Sequence, residues 1–150
     1  MGKKGQYYLI AAIIIAIVMI GLNYTYTYAR GSSDTLDVSD LTQEIHYETK
    51  QLIENRNSVG IGRAEIAQNI KENITDYYLS RFVNADLIIV YGNESGAYII
   101  DKTGVNNVVP SSGKVMANIL GGVREVDVKQ QSLYVLFGTE QEGEKNIAVR

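Results

Sequence analysis

The longest uncharged stretch of the chain constrains its fold more than any other feature. From Gln6 to Ala29 there are 24 residues without a charged side chain, and 19 of them are hydrophobic. The 120 residues that follow Arg30 hold 28 charged side chains. The overall hydrophobic content of 45% therefore averages a membrane-type segment with an ordinary polar domain.

This apolar segment has the length and the flanks of a transmembrane helix. A helix from Tyr7 to Tyr28 would rise about 33 Å, enough to cross a hydrocarbon core of about 30 Å. Tyrosines at both ends match the aromatic belts of a bilayer. Two lysines precede the segment and one arginine follows it, so the positive-inside rule predicts a cell-membrane protein with a cytoplasmic amino terminus. The carboxy-terminal domain is then extracytoplasmic, and membrane lipid is a partner.

A short basic motif stands directly before the apolar run. Lys3, Lys4, Gly5 and Gln6 together resemble the class III signal peptide of archaeal type IV pilins and archaellins. The resemblance is limited to about residues 3–28. In bacterial pilins a glutamate lies five residues into the mature chain, whereas Ile10 occupies that place here, which fits the archaeal members.

The resemblance implies a specific processing and assembly route. A prepilin peptidase would cut between Gly5 and Gln6, with Lys4 as the basic residue before the cut. The apolar helix would then stay on the mature protein and pack against other pilin-like subunits or further copies of the chain. Ala12 and Ala16 are four residues apart, so they would share a helix face and permit close packing.

Two other interpretations of the apolar segment stay open at this stage. The chain could be cleaved after Ala29 as an ordinary secretory protein, because Thr27 and Ala29 form a small-x-small pattern. It could also be a permanently membrane-anchored extracytoplasmic binding or scaffold module that forms no filament. We therefore divide the chain into a basic leader (1–5), a transmembrane or pilin-like helix (6–29), a linker (30–36) and an extracytoplasmic domain (37–150).

Hydrophobic periodicity predicts an α+β fold for the extracytoplasmic domain. Helical spacing starts near a cap at Asp37 or Ser39, and a second apolar stripe runs from Ile66 to Phe82 through Tyr77 and Tyr78. Short β-rich runs then follow, beginning with a hairpin whose loop has four to five residues and leading to a pair of strands around residues 129–131. The run Ile147–Val149 is expected to add an edge strand. The predicted fold class is a transmembrane helix followed by two amphipathic helices packed on a mainly antiparallel sheet.

The residue types that support catalysis or tight metal binding are scarce. The chain has no cysteine and a single histidine, His46, so it lacks a thiol nucleophile and a His- or Cys-based metal set. We predict neither an enzyme nor a cofactor. After Arg30 there are 17 acidic and 11 basic residues, which disfavours nucleic acid as a partner.

Three Asn-x-Ser/Thr sequons begin at Asn23, Asn73 and Asn93. Such a sequon is an acceptor for N-glycosylation on an extracytoplasmic surface. Asn23 would lie too close to the bilayer. Asn73 and Asn93 are therefore the candidate glycosylation sites, and Asn93 is expected to be the more accessible because it falls in the predicted hairpin loop.

Overall fold

The computed structural model describes residues 37–129, 132–141 and 143–150. Contacts divide the chain into two units, Met1–Leu36 and Asp37–Arg150, of which only the second is described. Its helical part comprises α1 (Val38–Ser58), α2 (Arg63–Ile70), a π turn (Lys71–Thr75) and α3 (Asp76–Arg81). Seven strands follow: β1 (Ala85–Asn93), β2 (Gly96–Asp101), β3 (Gly104–Val108), β4 (Lys114–Ile119), β5 (Gly122–Asp127), β6 (Leu133–Gln141) and β7 (Glu144–Val149).

Helix α1 starts directly after Asp37, one of its two predicted caps. The carboxylate of Asp37 accepts a hydrogen bond from the backbone N–H of Ser39 at 2.9 Å, which satisfies one of the free donors of the first turn. Leu41 and Ile45 lie on the buried face of the helix. The chain leaves the helix at Val59, and Gly60 follows with a φ of +77°, a conformation that glycine adopts without steric cost.

The second helical stretch contains a π turn that the apolar stripe did not predict. A π turn contains an extra residue, so the side chains after it are rotated around the axis. Tyr78 is buried as a result, whereas Tyr77 is 46% exposed and stacks edge-on against the Tyr78 ring. The prediction that both tyrosines belong to one apolar stripe is therefore wrong for Tyr77.

The strands form two separate antiparallel sheets. The larger sheet has the order β3-β2-β1-β6-β7, and the smaller one is the β4–β5 hairpin. This pairing corrects the prediction that the strands on either side of residues 129–131 pair with each other: β5 pairs with β4, and β6 pairs with β1 and β7. The loop between β1 and β2 is also shorter than predicted, because Asn93 pairs with Gly96 across a two-residue turn.

The larger sheet is covered on both faces. Alternate residues of β1, such as Leu87 and Ile89, pack with the helices, while Ile88 and Val90 pack with the β4–β5 hairpin. The central strands β1 and β6 are therefore buried on both sides. The domain has three layers: helices, the five-stranded sheet, and the hairpin.

The predicted fold class is corrected by these observations. Within residues 37–129, 132–141 and 143–150, no helix is both long enough and apolar enough to cross a membrane. The predicted transmembrane helix at 6–29 lies outside the described residues. The structure supports α+β content in which every described strand pairing is antiparallel, with helices on one face only and a second sheet on the other.

Candidate functional site

The turn between β4 and β5, which we call the docked turn, is held against the larger sheet by a set of contacts. Leu120 and Gly121 both have positive φ, +49° and +76°, as a tight hairpin turn requires. This conformation is unfavourable for leucine. Asp86 accepts a hydrogen bond from the Leu120 N–H at 3.0 Å, and the Lys145 ammonium donates to the Leu120 carbonyl at 2.8 Å. Both backbone groups of the strained residue are therefore paired.

Gly138 on β6 makes room for this turn. A Cβ atom placed on Gly138 would lie 2.9 Å from Leu120 Cδ1, 3.1 Å from Ile147 Cγ1 and 3.2 Å from the Asn146 carbonyl oxygen. The Leu120 side chain thus occupies the space that a larger residue at 138 would need. Contact at this point, and not hydrogen bonding alone, fixes the position of the hairpin on the sheet.

A polar cleft of about 540 Å³ opens beside the docked turn. Asp86, Lys102 and Glu140 give it two carboxylates and one ammonium group. Asp86 is 9% exposed, and its carboxylate already accepts the Leu120 hydrogen bond. The described residues that line the cleft include no hydroxyl, thiol or imidazole, and the described parts of the chain hold no metal-binding group of three or more His, Cys, Asp or Glu. The cleft thus offers two carboxylates and one ammonium group for polar contacts.

Tyr78 of α3 connects the helices to each other. The Tyr78 hydroxyl donates to the Glu48 carboxylate at 3.0 Å and lies 3.4 Å from a Glu44 carboxylate oxygen. Burial, together with these two acidic neighbours, raises the pKa of Tyr78 well above its ordinary value. The hydroxyl therefore stays protonated and acts as a structural donor between α3 and α1.

The single histidine lies at a half-buried position on α1. Burial lowers the pKa of His46, and the positive charges of Lys50 and Arg150 lower it further. The environment thus favours the neutral imidazole. Because the folded state binds the proton less well than the unfolded chain, stability falls as the pH drops through the unfolded value near 6.5.

The two candidate glycosylation sites have different local geometries, and they lie in different layers. Asn73 is in the π turn, where its Nδ2 donates to the Asn69 carbonyl at 2.9 Å. The hydroxyl residue of its sequon, Thr75, is fully buried, and its Oγ1 has no hydrogen-bond partner among the described residues. The Asn73 sequon is therefore inaccessible to a modifying enzyme, because the Asn73 side-chain nitrogen is hydrogen bonded and the Thr75 hydroxyl is buried.

Asn93 presents its sequon at the end of β1. Its Oδ1 accepts a hydrogen bond from the Ser95 N–H at 3.0 Å, which is an Asx turn. Glu94 and Ser95 are both exposed. The Asn93 amide and the Ser95 hydroxyl thus lie in a surface turn, which is the geometry that a modifying enzyme can approach.

This difference predicts which sequon carries a glycan. In a host that N-glycosylates extracytoplasmic proteins, we expect a sugar on Asn93 and none on Asn73. Peptide mass spectrometry should show the modification on the wild-type chain, its loss in Asn93→Gln, and its retention in the matched variant Asn73→Gln. A glycan on Asn73, or an unmodified Asn93 peptide in such a host, would contradict the prediction.

The other predicted site residues fall on the amino-terminal part of the chain. Lys4, Gly5 and Gln6 of the processing motif, and Ala12 and Ala16 of the packing pair, lie outside the described residues.

The docked turn was not predicted from the sequence. Its members are distant along the chain, and the available signal was indirect. The unbroken apolar run of β1 from Leu87 to Tyr91 indicates a strand buried on both faces, and therefore a second covering layer.

Comparison with known proteins adds no family assignment. No protein family, no curated protein and no solved structure matches the chain.

Proposed function

We propose that the chain is a pilin-like surface protein, a major or minor subunit of a type IV pilus-like filament. One observation carries this proposal. The tetrapeptide Lys3-Lys4-Gly5-Gln6 stands immediately before 23 residues (7–29) that contain no charge. A basic leader ending in glycine, followed at once by an apolar segment that is retained, is the arrangement of class III signal peptides.

The proposed mechanism is assembly and involves no catalysis by the chain itself. Lys3 and Lys4 hold the leader at the cytoplasmic face of the membrane, and a prepilin peptidase cuts after Gly5. The mature chain then begins at Gln6. Its apolar segment leaves the lipid and buries its surface against the same segment of neighbouring subunits, while the domain from Asp37 onward decorates the surface.

The start of the described domain supports separate roles for the apolar segment and the domain. Asp37 is in an extended conformation (φ −68°, ψ 102°) and caps the first turn of α1. The domain thus begins its first helix with its own cap. This favours a domain that folds as a unit, as the proposal requires.

Filament isolation combined with a packing variant tests the proposal. Surface filaments sheared from cells should contain the chain, detected by peptide mass spectrometry. Replacing Ala12 and Ala16 with isoleucine should reduce its incorporation at least about tenfold, corresponding to about 1.4 kcal/mol of lost packing. The neighbouring variant Ala11→Ile changes another helix face and serves as the control.

The outcome that contradicts the proposal is also specific. A protein that is monomeric, remains in the membrane fraction and is absent from filaments would favour the permanently anchored binding or scaffold module.

A further inference from the structure

One edge of the five-stranded sheet is unusual in its composition. Strand β3 ends the sheet order, and the structure assigns no described strand to its outer side. From Gly104 to Pro110 the chain carries no charged side chain. Asn106 and Asn107 are exposed, and Val109, just beyond the strand, is 83% exposed. The outer side of β3 is therefore accessible and electrically neutral.

The opposite edge of the same sheet is built differently. Strand β7 begins with Glu144 and Lys145, and Arg150 follows its last residue, all three with exposed side chains. Charges on an edge strand prevent another strand from pairing with it. Strand β7 has this protection and β3 lacks it, although both end the order of the described strands in the sheet.

We propose that β3 is an interaction surface, on which β3 of a second copy of this chain pairs antiparallel. A second copy is favoured because the strand is complementary to itself. Self-pairing of a neutral strand brings no like charges together. Each asparagine amide is both a donor and an acceptor, so Asn106 can hydrogen bond to the same residue of the partner. A twofold contact of this kind is the commonest form of homo-oligomer interface.

The layers of the domain restrict the register of this pairing. Val105 packs with the helices, whereas Val108 packs with the hairpin on the other face. A twofold axis perpendicular to the sheet keeps the helices of both copies on one face. Because side chains alternate between the faces, two paired residues must then both have odd numbers or both have even numbers. Centring the pairing on Asn106 meets this condition and pairs all five residues of β3, with Val105 opposite Asn107 of the second copy.

The predicted contact is small, so its strength depends on how concentrated the chains are. Five paired residues on each side form an interface below the standard range of about 1,200–2,000 Å². The pairing is therefore weak between dilute chains and effective where chains are concentrated on one surface. It does not depend on the cleavage of Gly5-Gln6, since the membrane-bound precursor concentrates the chains as well.

Disulfide trapping tests the pairing and its register together, because the native chain has no cysteine. In the full-length Asn106→Cys variant, the two cysteines would lie opposite each other, within the Cα separation of about 4.4–6.8 Å that a disulfide allows. Mild oxidation in native membranes should then give a covalent dimer. Asn107→Cys, one residue away and also exposed, would place its cysteines too far apart and serves as the matched control.

We expect the dimer fraction of Asn106→Cys to exceed that of Asn107→Cys and of Asn146→Cys, on the β7 edge, at least about tenfold. Equal crosslinking at the three positions would indicate random collision and would overturn the proposal, as would the absence of a dimer at position 106. The same result is expected when Asn106→Cys is combined with Gly5→Leu, so failure of the pairing is distinguishable from failure of the proposed processing.

Discussion

Replacing Gly5 with leucine is expected to abolish amino-terminal processing and, with it, filament assembly. A peptidase subsite that accepts a residue without a side chain is too narrow for a branched one, so the leader should remain attached. Intact-mass measurement of the membrane protein should then show a chain that retains residues 1–5. The uncleaved lysines would keep two positive charges at the start of the apolar segment, where burial among neighbouring subunits is costly.

A second glycine in the leader provides the matched control. Gly2→Leu makes the same chemical change three residues farther from the cut. It should leave the mature chain starting at Gln6 and filament formation unchanged. If Gly5→Leu is processed as efficiently as Gly2→Leu, the peptidase assignment fails.

Gly138→Val is expected to produce the largest stability loss among the glycine variants of the domain that we propose. The added Cβ would lie 2.9 Å from Leu120 Cδ1, which is shorter than the contacts that Cβ atoms make in proteins. The valine methyl groups would add further overlap. Overpacking of this kind costs about 1–3 kcal/mol. Because Leu120 is already held in a positive-φ turn by Asp86, the strain should displace the β4–β5 hairpin from the sheet.

Chemical denaturation of the full chain in detergent micelles, followed by circular dichroism, measures this loss. Relative to the wild-type chain, hydrogen exchange in the variant should be accelerated more in β4 and β5 than in β1. This would place the damage at the docked turn. Gly96→Val is the control on the same sheet, since a Cβ there meets no atom of the described part of the chain within 4 Å. A Gly138→Val protein as stable as Gly96→Val would show that the turn does not dock as described.

Local signals in the sequence were sufficient for most of the elements. The carboxylate of Asp37, one of the two caps that the sequence predicts, caps α1. The edge strand predicted at Ile147–Val149 is β7, because an apolar run at the end of a sheet needs only one neighbour. These features depend on nearby residues, and so they can be recognised without knowing the tertiary contacts.

The choice of strand partners depends on distant residues and could not be predicted in the same way. Strand β6 was expected beside β5, its neighbour in the chain, yet it pairs with β1, so that Phe137 lies next to Leu87 on the helix-facing side. Burial of that apolar face outweighs the advantage of a short connection. The π turn at Lys71–Thr75 is a similar case, because a regular helical period was assumed in predicting the apolar stripe and does not account for the extra residue.

The candidate sites likewise differ in whether they depend on nearby or on distant residues. A sequon is a local pattern, so Asn73 and Asn93 were both found, but their accessibility depends on whether Thr75 and Ser95 are buried. The docked turn joins Asp86 to Leu120, 34 residues away, and no short motif marks such a contact.

The amino-terminal residue of the mature protein tests the central proposal most directly. Sequencing or intact-mass analysis of the protein purified from native membranes should find Gln6 as the first residue. A chain that still begins at Met1 would contradict processing by a prepilin peptidase, and a chain that begins at Arg30 would show an ordinary secretory signal instead.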